Sequence, residues 1–198
     1  MHVHSRSRVV LVALLCAGLL ATGCSANWIS VALADLPVLV QMALNVGSVV
    51  TTLESGQQLS AAEPAAIQNI SRQASKDLNL LQVLYNQYKT TPSAGTLQKI
   101  QSAIADMNQN LPALLQAAHV SDPVLSARVT AAVNLILSTV SSFAALLPAV
   151  SAPTQAKLAL AKTAIPHAAD LKKQWNQQVC GTSGSAVLDS SLTHCPVK

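Results

Sequence analysis

Between Leu97 and Ala118 an apolar residue returns at every third or fourth position: Leu97, Ile100, Ile104, Met107, Leu111, Leu114 and Ala118. That spacing lines one face of an α-helix, and the stripe it makes must be covered by other helices. The same rhythm runs through Ile67, Ile70, Ala74, Leu78, Leu81, Tyr85 and Tyr88, with Arg72, Lys76, Asn79, Asn86 and Lys89 between them. Start and stop signals agree. Ser60-Ala-Ala-Glu63 is a capping-box pattern with Pro64 in the first turn, and residues 90–95, TTPSAG, interrupt the periodicity. Ser121-Asp122-Pro123 opens a further helix with an N-cap and a proline at its first position, and that helix runs to about Leu147. A first helix is expected from about Asp35 to Ser55. A fifth, roughly 154–179, uses Leu158, Ala161, Ile165, Ala168, Leu171 and Trp175. Pro112 and Pro166 fall inside helices and are expected to kink them. Connections this short force neighbours to run antiparallel. The fold expected is all-α, an elongated up-and-down bundle of about five helices over residues 35–179.

Two of these helices carry no charge over long stretches: 18 residues from Leu36 to Leu53, and 22 from Val129 to Val150. Runs of that length are formal membrane-span candidates. Each also carries a polar stripe at helical spacing, Gln41, Asn45, Ser48 and Thr52 in one and Thr130, Asn134, Ser138 and Ser141 in the other. A stripe of this kind fits the wet edge of a helix in a soluble bundle. It equally fits a polar seam between two membrane helices. With 51% hydrophobic and 10% charged residues, the chain is too apolar for an intrinsically disordered one.

The N-terminus reads as an address. Residues 1–8 carry Arg6 and Arg8 and no acid, Val9 to Leu20 are apolar without interruption, and Ala21-Thr22-Gly23-Cys24 follows. A basic start, a short apolar core and small residues at its end make a secretory signal. Twelve residues cover about 18 Å as a helix, short of a hydrocarbon core of about 30 Å. Ala21-Thr22-Gly23-Cys24 resembles the lipobox of bacterial lipoproteins, with Ala21 where leucine is more usual. The resemblance is confined to the first two dozen residues. It implies a signal peptide over 1–23, a palmitate-type acyl modification of Cys24, a lipidated tether over 24–34, and an exported protein anchored to a membrane of the cell envelope. Ser25 after the cysteine resembles the pattern for outer-membrane sorting in a cell with two membranes. The alternative is an ordinary signal cut after Ala26, which releases a soluble protein.

Of four cysteines, Cys16 lies in the signal and Cys24 would take the lipid. Cys180 and Cys195 remain, an even pair in an exported chain, and a disulfide closing the segment 180–198 is the expectation. A metal site on Cys180, His194 and Cys195 is disfavoured, because adjacent His and Cys are awkward ligands for one ion and no fourth ligand is evident.

Little points to catalysis. His167 and Asp170 share a helix face and are weak metal candidates, without a matching pair on a second helix. His119 closes the third helix, where an imidazole suits the dipole. Gly181-Thr182-Ser183-Gly184-Ser185 misses the G-x-S-x-G elbow, since residue 185 is serine. From Cys24 onward ten Lys and Arg oppose eight Asp and Glu, and aromatics are 3% of the chain, which leaves no nucleic-acid surface. From Asn27 onward, 15 Gln and 9 Asn stand beside 18 charged residues. The exposed faces therefore rely heavily on neutral amides, which steer ligands weakly. The expectation is a non-enzymatic binding, scaffold or interaction module without cofactor, attached to a membrane through its acyl chain and open to an envelope protein or an apolar ligand. The alternatives are a membrane-active protein that inserts helices 36–53 and 129–150, and an apolar-ligand carrier.

Overall fold

The computed structural model describes residues 29–48, 62–147, 167–182, 184, 186, 189, 195 and 197. These residues form five helices and no strand: α1 Ile29–Ser48, α2 Ala62–Thr90, α3 Ala94–Ala117, α4 Pro123–Leu146 and α5 Ala168–Gln178. The fold class is the all-α bundle that the apolar spacing demands.

Local chemistry sets the helix ends. Ser93, in extended backbone, accepts the Thr96 N–H on Oγ at 3.1 Å and starts α3. Asp122 does the same for α4, accepting the Leu125 N–H at 2.7 Å, while Pro123 occupies a first-turn position that needs no donor. At the end of α3 the Ala118 N–H bonds the Leu114 and Leu115 carbonyls, and the chain turns through His119 at φ 42°, a left-handed conformation usually given to glycine.

Contacts between helices give their directions. Glu63, at the start of α2, accepts from the Ser121 N–H and hydroxyl at 2.5 and 2.6 Å just before α4 begins. Tyr85, near the end of α2, meets Phe143, near the end of α4, edge to face with ring centroids 6.3 Å apart. So α2 and α4 are parallel. Early in α4, Arg128 reaches Val179 just past the end of α5, so the start of α4 meets the end of α5. Along α1, Asp35 faces the start of α5 and Asn45 the far end, at Cys195, so these two are parallel. Helix α2 packs on α3, α3 on α4 and α4 on α5. Because α5 returns to α1, the up-and-down bundle closes on itself. The 29 residues of α2 span about 43 Å at 1.5 Å per residue, so the bundle is elongated.

The core is filled by Leu36, Leu39 and Met42 of α1, Ile67, Leu78, Leu81 and Tyr85 of α2, Ile100 and Met107 of α3, Phe143 of α4 and Trp175 of α5. Each large apolar side chain buried here contributes about 1.5–3 kcal/mol against chain entropy. The α3 stripe is buried from Leu97 through Leu111 and again at Ala118, with Leu114 half-buried. Helices α1 and α4 are both long and apolar enough to cross a membrane, with mean hydropathy 1.7 each, yet about half of each window, 44% and 50%, is buried inside the bundle.

Two boundaries differ from the sequence expectation. Residues 29–34, expected in a tether, are helical, and Pro37 is carried inside α1. The proline costs the bond to the Leu33 carbonyl, but Ile29, Ala32, Leu36 and Leu39 keep their spacing across it and all are buried, so packing outweighs one lost bond. The fifth helix begins at Ala168, inside the expected span of about 154–179. His167 is extended at φ −71°, ψ 156°, and α5 starts after it. Residues 49–55 and 154–166 lie outside the described residues. At Pro112, α3 continues without interruption, and only the helical bond to the Asn108 carbonyl is forgone.

Candidate functional site at the seam of α1 and α5

The polar chemistry of the molecule gathers where α5 and the C-terminal segment meet α1 and α4. Leu171 and Trp175, four residues apart, put α5 into the core, and both are fully buried. A buried indole needs a partner for its N–H. Trp175 Nε1 donates to the Cys195 carbonyl at 3.1 Å. The same carbonyl accepts from Asn45 Nδ2 of α1 at 3.0 Å, and Asn45 Oδ1 in turn accepts from Gln41 Nε2 at 3.0 Å. Two residues on, Val197 exchanges a pair of bonds with Asn176, its N–H donating to Oδ1 at 3.0 Å and its carbonyl accepting from Nδ2 at 3.3 Å. Cys195 is joined to Cys180, directly after α5, by a disulfide with S–S 2.07 Å and Cα atoms 5.7 Å apart. Cys195 and Val197 thus form a strap held covalently to α5 and by hydrogen bonds to α1 and α5.

Arg128 secures the same end of α5 from α4. Its guanidinium, only 8% exposed, donates to the Val179 and Gly181 carbonyls at 2.5 Å each and lies 4.0 Å from the Asp189 carboxylate. Carbonyls at a helix C-terminus lack helical donors and carry partial negative charge, so this is where a buried cation is best tolerated. Gly181 is required here by space: a Cβ would lie 2.6 Å from the Gln177 carbonyl oxygen.

At the other end of the seam, Asp35 of α1 accepts the Ala168 N–H and caps α5 from outside, since His167 makes no side-chain cap of its own. Asp35 is 1% exposed, and its Oδ2 has no hydrogen-bond partner. Burial pushes its carboxyl up to about 6, against the opposing pull of the His167 imidazole and the Ala168 N–H.

Of the residues singled out from sequence, Cys180 and Cys195 are brought together as a disulfide. His167 and Asp170 sit at the cap and third position of α5, both exposed, and among the described residues no three His, Cys, Asp or Glu are grouped to hold a metal. Cys24 and His194 lie outside the described residues. Sequence reasoning missed Asp35, Asn45 and Arg128. A signal was there: Asp35 and Arg128 are the charges immediately preceding the two charge-free runs, where an isolated charge must find a partner in the bundle. No family model, curated protein or solved structure matches this chain.

Proposed function

We propose that the chain is a lipid-anchored protein of the cell envelope whose helical bundle serves as a non-enzymatic binding, scaffold or interaction module. The observation that carries this reading is the pairing of the N-terminal address with the disulfide at the other end of the chain. A lipobox-like Ala21-Thr22-Gly23-Cys24 belongs to export, and a Cys180–Cys195 disulfide persists in the oxidising compartments that export reaches. The bundle interior supports the non-catalytic part. The buried polar side chains Glu63, Ser71, Arg128 and Trp175 bond to other parts of the bundle, so their bonding capacity goes into holding helices together.

The test is metabolic labelling with radioactive palmitate in a bacterial host. Label is expected on the full-length chain and lost in Cys24→Ala, with Cys180→Ser/Cys195→Ser still labelled. An unlabelled, signal-cleaved wild-type chain released in soluble form would replace this reading with the soluble secreted one. The membrane-active alternative draws on the length and hydropathy of α1 and α4. It requires both helices to leave the core they fill.

A further inference from the structure

We propose that the Cys180–Cys195 disulfide is a redox-operated clasp that governs how firmly the second half of α1 is docked on α5. Arg128 holds α5 to α4 through Val179 and Gly181, the residues on either side of Cys180, and needs no disulfide to do so. Asp35 holds the first half of α1 to the start of α5. The second half of α1 meets the far end of α5 through the strap, where the Cys195 carbonyl is shared between Asn45 and Trp175. What keeps that carbonyl in place is the covalent bond to Cys180, helped by the Asn176–Val197 pair. Breaking the disulfide leaves α5 fixed on α4 and frees the strap, so Asn45 Nδ2 loses its acceptor across to α5 and the face of Leu39, Met42 and Val46 is loosened.

The chemistry is a two-electron thiol–disulfide exchange with a dithiol reductant. Cys180 is partly exposed and Cys195 is 1% exposed, so the attacking thiolate reaches Cys180 Sγ. The S–S bond breaks, and Cys195 departs as a thiolate that takes up a proton. The reductant's second thiol then displaces Cys180 from the mixed disulfide, leaving two cysteine thiols and an oxidised, cyclic dithiol. This coupling stands whether or not Cys24 is acylated.

Hydrogen exchange with mass spectrometry on the full mature protein, before and after dithiothreitol at pH 7, tests it. On reduction, exchange in residues 39–48 is expected to rise at least about tenfold, while 62–146 changes by less than about threefold. A rise confined to 180–198, or one spreading through 62–146, would overturn the proposal. The oxidised Asn45→Ala variant supplies an independent reading. It should already show faster exchange in 39–48 with the disulfide intact, and reduction should then add less than about threefold there. A full tenfold addition in that variant would show that the strap does not act through Asn45.

Discussion

At the scale of single residues, the molecule places two side chains, His119 and Asp35, where a different residue would be easier to accommodate. His119 sits in the left-handed region at φ 42°, with its side chain exposed. Glycine takes that conformation without a Cβ penalty, so His119→Gly should stabilise the protein by about 0.5–1 kcal/mol in urea denaturation. Asp35 titrates near 6 when folded and near 4 when unfolded, so the folded chain holds this proton more tightly. Its favourable contribution is full below about pH 4 and is lost as pH rises through 6. The advantage of Asp35→Asn over wild type should therefore be about 1–2 kcal/mol at pH 7, since the amide oxygen still accepts from Ala168, and should vanish by about pH 4. An advantage that stays constant across this range would refute the assignment. Arg128 is the opposite case, a buried charge with its partners in place. Arg128→Met strands the Val179 and Gly181 carbonyls and should cost about 2–4 kcal/mol.

Between elements, α1 comes close to α2 at Gly47. Ser71 Oγ donates to the Ala43 carbonyl at 2.7 Å, and a Cβ on Gly47 would lie 2.8 Å from that oxygen. Because the hydroxyl is committed to Ala43, it cannot swing away without losing its bond. Gly47→Ala should cost about 1–2 kcal/mol despite the better helix propensity of alanine, and Ser71→Ala should recover part of that loss in the double variant. Additive losses in the double variant would show that the two positions do not press on each other. Helix existence was readable at this scale because spacings of three and four survive in the bare sequence. The apolar residues of α3 from Leu97 to Leu111 are buried as that spacing demands. Boundaries were less readable where tertiary contact overrides local preference. Pro37 suits the first turn of a helix that begins near Asp35, yet buried neighbours on both sides extend the helix back to Ile29. The cap of α5 comes from Asp35, well over a hundred residues away, and no local pattern announces it.

For the molecule as a whole, the fold class and the disulfide were legible, and the way the bundle closes on itself was not. Composition and spacing speak to single helices, whereas closure depends on which carbonyls the strap offers and which side chains reach them. Asn45 illustrates the difference. In the sequence it is one member of a polar stripe with Gln41 and Ser48, and in the fold it is the contact between α1 and Cys195. Two functions for the apolar helices follow from two locations of their hydrophobic faces, in a bundle core or in a bilayer, and the proposed anchor at Cys24 decides nothing between them. Vesicle flotation of the unacylated chain from Ser25 onward, oxidised and free of detergent, separates them most directly. The unacylated protein should stay at the bottom of the gradient while the acylated protein floats, which assigns membrane attachment to the lipid and the core to α1 and α4. Unacylated protein that floats and resists carbonate extraction would contradict the account, because the helices themselves would then enter the bilayer.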